Sequence, residues 1–553
     1  MLRRSTRCLG VFMKQLSKAN NLTLSLYLFV MLGFFPLYYR YQYADMGDSK
    51  YRVFLYASSV CVVVSFLLCV WRAVLSYRVT ANLKTNKRID IKKYICNHPL
   101  DMAVILYFTT VVTSFLLTDY KDVAWKGANG WYMGLLSQLL FVAVYFLIAK
   151  TWTYRPWALA LLGISSALVF IIAVFHRFDV DILPIYGDLK VSYKVLFLST
   201  MGQSSWYSSF LCTVFPIGLY LFFMEKDTKK RRIAGIYSVI AMMSLVTQNT
   251  DSAFLSLFAV MMVLFYLSFD GKIREFLEVI ILVLASFCFM GICQKIFAAR
   301  VIPLDTMSLF MSQSGLVWIG VVVAAGLYLW LFRKDLWAVK QTNAKKGSKK
   351  EVHVQISLPK NVFWIVLIMV MAAVVLGILF IVFNTNGMLQ NAFGCQSDNN
   401  YLLFNNNWGN GRGFSWIFAS TTFLEMPLLQ KLFGVGPDCF AAYAASVPEY
   451  SAKMKEFWGD LVLTNAHNEY LTKLYTLGIV GLTAYITMLV TGVATFMKNR
   501  DKNPILPAFA LCIAAYMTHN IFCYEQVCCT PFFYILMGIG SNLIHNTTKK
   551  STY

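Results

Sequence analysis

Apolar runs of about 20 residues recur along the whole length of this chain, and each is long enough to cross a bilayer as a helix. A helix also satisfies its own backbone hydrogen bonds, which the hydrocarbon interior cannot do. A mean hydropathy of +0.59 and a charged fraction of 14% exclude an ordinary soluble domain. The sequence therefore predicts an all-α polytopic membrane protein with roughly fourteen transmembrane helices.

The predicted spans divide the chain into an N-terminal transmembrane bundle (1–383), a large outer segment (384–469) and C-terminal transmembrane helices (470–553). The spans themselves cover residues 22–39, 53–71, 100–117, 131–148, 157–175, 205–223, 233–248, 253–268, 276–294, 314–332, 361–383, 470–496, 505–522 and 530–545.

The net charge of +22 would suit nucleic acid, but its distribution favours a membrane topology. With the N-terminus inside, about two thirds of the 49 Lys and Arg residues fall on the inner side, as the positive-inside rule requires. We therefore predict no nucleic-acid partner and a multi-pass protein of the cell membrane. Both termini are expected in the cytoplasm, and the outer segment on the opposite side.

Several local features refine this topology. The basic N-terminus precedes an apolar stretch without a small-residue cleavage site, which favours an uncleaved first span. Most of the 13 cysteines lie in apolar runs, whereas Cys395 and Cys439 fall in the outer segment and could pair. The Lys-rich segment 333–360 has the composition of a solvated inner linker. The outer segment is long and of mixed composition, which is typical of a folded lid or binding loop.

The most informative stretch is residues 464–482, TNAHNEYLTKLYTLGIVGL. Asn465 or Asn468 can cap a helix that starts at the outer membrane surface. His467 and Glu469 would then lie at the positive end of that helix, where anions are favoured. A neutral imidazole there can take a proton from a sugar hydroxyl. The alternative is that His467 hydrogen-bonds a loop carbonyl and that the asparagine is only a cap.

This stretch resembles the signature of the O-antigen ligase and polymerase family, which combines His-Asn-x-Tyr-Leu with a following Gly-x-x-Gly-Leu. The resemblance implies a GT-C type membrane glycosyltransferase. It would transfer glycans from a polyprenyl-diphosphate-linked donor to an acceptor glycan or carrier outside the cytoplasmic membrane, as in O-antigen or capsule synthesis. No cofactor is expected.

Residues 411–416 (GRGFSW) and 434–440 (GVGPDCF) are similar to the outer loop of that family. Arg412 suits bidentate recognition of the donor diphosphate, and Trp416 could offer a platform for a sugar ring. Alternatively, Arg412 could pair with Glu425 or Asp438. The glycines and proline of 434–437 favour a tight turn over substrate contact.

Two further outer segments contain candidate substrate-binding residues. Gln203 lies where the family more often has Asn before a span, and its amide could bind sugar or cap the next helix. Arg177 is a second candidate for the diphosphate, and its structural alternative is a pair with Asp179 or Asp181. The chain departs from many ligases at residues 247–255, where Asp251 precedes Ser252 and the usual Arg is missing.

We hypothesise that His467 acts as base, that Glu469 or a capping asparagine orients it, and that Arg412 and Arg177 hold the diphosphate. The reaction would be metal-independent and would invert the anomeric carbon. Two alternatives have a basis in the sequence. Asp179-Val180-Asp181 is a DxD motif that a metal-using GT-C transferase would need. A flippase or transporter of lipid-linked glycans would also have many helices, with Glu278 and His519 as its ionisable residues inside spans.

Overall fold

The computed structural model describes residues 2–82, 98–187, 189–346 and 359–550, and these residues are mostly helical. The membrane-type helices are Leu2–Phe29, Met46–Asn82, Pro99–Leu117, Leu135–Thr151, Trp157–Arg177, Ser204–Met224, Thr228–Leu245, Asp251–Ser268, Ile273–Ile296, Gly315–Lys346, Asn361–Thr385, Glu469–Lys498, Leu506–His519 and Thr530–Lys550. A π-helical turn (Val30–Phe34) and a short helix (Phe35–Leu37) extend the first of them.

Each of the fourteen predicted spans coincides with one of these helices, so their helical character is confirmed. Ten helices in the described residues are long and apolar enough to cross a membrane, and the helices Leu135–Thr151 and Leu506–His519 are shorter apolar ones. The chain is thus a polytopic all-α membrane protein. The count of fourteen spans and the resemblance to GT-C enzymes stay predictions.

The central bundle is built from helices that are distant in sequence. Ser204–Met224 packs against Leu506–His519, Pro99–Leu117 against Glu469–Lys498, and Leu135–Thr151 against Thr530–Lys550. By contrast, none of the apolar stretch of Asn361–Thr385 is buried, as expected for a helix in contact with lipid. Of the predicted Lys-rich linker, residues 347–358 lie outside the described residues.

The outer segment folds into short helices, as its mixed composition predicts. They are Met388–Phe393, Trp408–Glu425, Leu428–Phe433, Phe440–Ser446 and Pro448–Trp458. Phe414, Phe418, Phe440 and Tyr450 form a second hydrophobic core, which also buries Tyr475 of the Glu469–Lys498 helix. This shared core fixes the outer segment on the end of that helix.

A glycine-rich turn supplies the closest contact between the outer segment and the bundle. The Glu469–Lys498 helix is interrupted at Gly478, whose φ is 70°. The interruption lets the carbonyl groups of Tyr475 and Thr476 accept hydrogen bonds from the backbone of Val435 (3.2 Å) and Gly436 (3.0 Å). The turn predicted at residues 434–437 is therefore confirmed as a packing element.

Smaller elements lie between the longer helices in the sequence. Val191–Lys194 and Lys121–Lys126 are single helical turns, Thr306–Gln313 is a short helix, and Ser199–Met201 and Ala298–Arg300 are 3-10 turns. Phe197–Leu198 and Gly202–Gln203 form a two-stranded antiparallel ladder in which Phe197 faces Gln203. Cys395 is exposed and Cys439 is buried, and both are free thiols, so the two do not pair.

Candidate functional site

The loop of residues 464–468, called here the histidine loop, holds His467 by backbone and asparagine hydrogen bonds. The side chain of Asn465 accepts from the backbone N–H of His467 at 2.9 Å. Asn468 caps the Glu469–Lys498 helix by accepting from the backbone N–H of Leu471 at 3.0 Å. His467 itself has a φ of 50°, which L-residues rarely adopt. The two asparagines thus shape the loop that presents the imidazole.

The imidazole of His467 is partly exposed and faces the ring of Tyr524 edge-on, with centroids 5.2 Å apart and planes at 90°. The Tyr524 hydroxyl donates to Oε1 of Gln203 at 3.1 Å. Burial, together with the positive charge of Arg412, lowers the pKa of His467 below its ordinary value. His467 is therefore neutral at physiological pH, which is the form a general base needs.

Arg412 is held by two backbone carbonyl groups. Its Nε donates to the carbonyl of Phe522 at 3.1 Å, and its Nη1 donates to that of Gly409 at 2.9 Å. Neither predicted carboxylate pairs with it: Glu425 accepts from Tyr450, and Asp438 accepts from backbone N–H groups. In the described part of the chain Arg412 has no acidic partner. Among the described residues, its Nη2 has no hydrogen-bond partner.

Aromatic rings line the side of Arg412. Trp416 stacks on Phe522 with centroids 5.6 Å apart and planes at 18°. Trp408 packs against both rings, at 5.2 Å from Trp416 and 6.2 Å from Phe522. Four residues after Arg412, Trp416 shares a helical face with it. Such rings are suited to the apolar face of a sugar.

The segment of residues 520–529 between the last two helices, called here the closing loop, joins these parts. The carbonyl of Phe522 accepts from Arg412, and Tyr524 contacts His467 and Gln203. The side chain of Cys523 lies 3.4 Å from the hydroxyl of Ser252. The sequence reasoning did not select these closing-loop residues. The available signal was a polar Tyr-Glu-Gln triplet between two apolar runs.

The pKa of Cys523 in the closing loop also indicates a positive electrostatic field in the site. Burial raises the pKa of the Cys523 thiol, but His519, Arg412 and the hydroxyl of Ser252 outweigh it and lower that pKa to about 7. His467 and Cys523 therefore both experience the charge of Arg412. A positive field of this kind stabilises anionic groups.

Glu469 does not orient His467, which corrects the sequence hypothesis. Its carboxylate accepts from Lys473 at 3.0 Å and from the backbone N–H of Glu525 at 2.8 Å. Lys473 also pairs with Glu525 at 2.8 Å, so one ammonium lies between two buried carboxylates. The helical spacing of four residues turns Glu469 toward Lys473 and away from the histidine loop.

Arg177 is also placed differently from the prediction, because it is fully buried. Its Nε donates to the carbonyl of Thr247 at 2.7 Å and its Nη1 to that of Pro303 at 3.3 Å. It pairs with neither Asp179 nor Asp181. Its contacts fix the segment that leads to Ser252 and do not bring the guanidinium to Arg412.

At the departure from the ligase pattern, Asp251 accepts a hydrogen bond from the hydroxyl of Tyr401 at 3.2 Å. Ser252 contacts Cys523 of the closing loop. Arg412 lies close enough to Asp251 to act on its charge. Arg412 of the outer segment thus lies near Asp251, next to the position at which the family pattern has the Arg that this chain lacks.

The residues on which the two alternative functions, a metal-using transferase and a transporter, would depend all contact other protein side chains. Asp179 pairs with Lys194 at 2.7 Å, and Asp181 pairs with His176 at 3.3 Å, so the DxD carboxylates have separate protein partners. Of the transport candidates, Glu278 pairs with Arg231, and Nε2 of His519 lies 2.9 Å from the hydroxyl of Ser208.

Comparison with known proteins gives a match to one protein family. Residues 301–486 match the family model described as O-Antigen ligase. This match, over about a third of the chain, supports the resemblance to the O-antigen ligase and polymerase family. The matched range contains Arg412, Trp416 and His467 but not Gln203 or the closing loop. No curated protein matches the chain. The family and the apolar helices support a function like that of membrane glycan ligases and polymerases.

Proposed function

We propose that this protein joins polyprenyl-diphosphate-linked oligosaccharides to an acceptor glycan or carrier on the outer face of the cytoplasmic membrane. The observation that carries the proposal is the meeting of His467 and Arg412 at the closing loop. A neutral base and an unpaired guanidinium share one site there. These are the two groups that transfer from a diphosphate leaving group requires.

In the proposed reaction, an acceptor hydroxyl oxygen attacks the anomeric carbon of the donor sugar. The bond between that carbon and the diphosphate oxygen breaks, and polyprenyl diphosphate leaves as an anion. His467 takes the hydroxyl proton and later releases it to solvent. One displacement inverts the anomeric carbon, and no metal or cofactor takes part.

The remaining site residues position the substrates. Arg412 binds the diphosphate through its Nη2, and Trp416 with Phe522 offers a surface for the donor sugar. Gln203 fixes Tyr524 against His467 and can reach a sugar hydroxyl from the same position. Asn465 and Asn468 hold the histidine loop. Glu469 and Arg177 act as positioning residues within the fold.

Among the two family activities we propose a polymerase, in which the acceptor is another lipid-linked repeat unit. The support is the departure at Asp251 and Ser252, where ligase-type relatives have an Arg. Asp251 is instead bonded to Tyr401. Deleting the gene and measuring glycan chain length tests this choice: a polymerase loses long chains, and a ligase loses attachment to the final carrier.

The test of the proposed chemistry is glycan joining by purified protein in lipid nanodiscs, with the donor and acceptor isolated from the host. The variant His467→Ala should lose joining by about 100-fold or more, the scale of general-base catalysis. It should still bind the donor, because Arg412 is intact. The matched control is His545→Ala. His545 lies on the last helix, about 22 Å from the start of that helix at Thr530 when each residue adds 1.5 Å.

Normal joining by His467→Ala would refute the role of His467. Equal losses in both histidine variants, with lowered thermal stability, would indicate a folding defect. An absence of joining by the wild-type protein, with vesicle assays showing glycan flipping, would refute the proposed function and favour transport.

A further inference from the structure

A small cavity lies next to the histidine loop, and Arg412 is not among the residues that line it. Asn465, Trp131 and Tyr524 line it together with Asp438, Gln138 and the Glu469–Lys473–Glu525 cluster. Tyr524 therefore contacts His467 and also borders the cavity. The base thus lies near the guanidinium of Arg412 and also near a carboxylate-rich cavity.

The cavity contains polar groups without protein partners. Gln138 is 2% exposed, and its Oε1 carries no hydrogen bond. Nε1 of Trp131 is also buried and unpartnered. Oδ2 of Asp438 accepts from the backbone of Ala128 (2.7 Å) and Met133 (2.9 Å). Asp438 itself is half-buried and borders the cavity. Leaving buried polar groups unpaired is costly, which indicates that something else pairs with them.

The carboxylate cluster itself is internally satisfied and does not need a ligand. Lys473 lies between Glu469 and Glu525, and the hydroxyls of Tyr485 (3.0 Å) and Tyr516 (2.9 Å) donate to Glu525. Its role toward a ligand is electrostatic. With Asp438, three carboxylates face one ammonium, so the cavity favours a hydrogen-bond donor and disfavours an anion.

We propose that this cavity binds one hydroxyl-bearing arm of the acceptor sugar, with Gln138 and Asp438 as acceptors and Trp131 as donor. The cavity holds a group of a few atoms rather than a whole sugar ring. Trp131, which packs against Tyr524 with centroids 6.1 Å apart, is half-buried and provides an aromatic surface for the ring itself. This inference rests on the proposed function and adds where the acceptor sugar binds.

The arrangement separates the two substrates by charge. The anionic donor meets Arg412, and the acceptor hydroxyls meet amide and carboxylate oxygens in the cavity. An acceptor arm that carries a carboxylate, as in a terminal uronic acid, would be repelled by the cavity. The acceptor is therefore a neutral or cationic terminal sugar.

The test is Gln138→Leu in the nanodisc assay, with Gln294→Leu as matched control. Gln294 is also a buried glutamine in a membrane helix with one unpartnered atom, but it does not line the cavity. Gln138→Leu should raise the acceptor KM about fivefold, the effect of one hydrogen bond of about 1 kcal/mol. The donor KM should not change, and the control should behave as wild type.

A panel of monodeoxy acceptors makes the assignment specific. One deoxy position should weaken wild-type joining about fivefold and have no further effect in Gln138→Leu, because the two changes remove the same contact. Additive losses at every position, an unchanged acceptor KM, or an equal rise for the donor would overturn the proposal.

A binding measurement separates this inference from the proposed function. The probe is the free oligosaccharide released by mild acid from the host's lipid-linked glycans, titrated calorimetrically into the protein without donor. Binding by wild type and Gln294→Leu, with about fivefold weaker binding by Gln138→Leu, supports the cavity even if no joining is seen. If the protein joins glycans but all three proteins bind the oligosaccharide equally well, the acceptor role of the cavity is refuted and the proposed function stands.

Discussion

Replacing Gly478 with Ala should disrupt the contact between the outer segment and the bundle. Gly478 has φ 70° and ψ −174°, a conformation open essentially only to glycine, so an L-residue there costs about 1–3 kcal/mol. The added Cβ would also lie 2.3 Å from the backbone carbonyl of Leu432. Overpacking of this kind costs roughly another 1–3 kcal/mol. The expected destabilisation is therefore about 2–6 kcal/mol.

Gly459→Ala provides the matched control. Gly459 has φ 63° and ψ −125°, but no atom lies within 4 Å of the position that an added Cβ would take. It should lose only the conformational part, about 1–3 kcal/mol. Thermal unfolding of both purified variants in one detergent separates the conformational cost from the overpacking cost. The joining assay is then run on both variants. Equal shifts in the two variants would refute the close backbone contact between Gly478 and Leu432.

Two further predictions concern charges at the site. Arg412→Gln should reduce donor kcat/KM about 10- to 100-fold, as for a lost charged hydrogen bond, and Arg412→Lys by less. Because Arg412 lowers the pKa of His467, its removal raises that pKa, and activity should then fall at a higher pH on acidification. If the activity of the variant falls at the same pH as that of the wild type, this expectation is contradicted. Lys473→Met leaves Glu469 and Glu525 buried without a cation and should lower stability by about 3–5 kcal/mol. Adding Glu525→Gln to it should restore part of the loss in a thermal-shift measurement, and no restoration would contradict the pairing.

The helices could be predicted from the sequence because apolar length and backbone self-satisfaction leave one solution in a bilayer. Hydropathy alone does not fix which helices cross the membrane. Leu135–Thr151 and Leu506–His519 are as helical as predicted, but they are shorter than the spans around them. The turn at residues 434–437 was predictable because its glycines and proline have local geometric meanings.

The site was predictable only where local sequence determines geometry. Asn468 could be predicted as a cap, since capping depends on residues three positions apart. Glu469 was misassigned because its partner Glu525 lies 56 residues away, a pairing that only the tertiary fold creates. The burial of Arg177 depends likewise on carbonyl groups at Thr247 and Pro303. Long-range pairing of this kind has no signature in a single sequence.

The central claim is that His467, Arg412 and the outer segment face away from the cytoplasm. Cys395 is an exposed native thiol in that segment, so it can be labelled without engineering. A membrane-impermeant maleimide applied to intact cells should label the protein, and Cys395→Ser should abolish that labelling. Labelling of Cys395 only after the cells are permeabilised would place the segment in the cytosol and contradict the account.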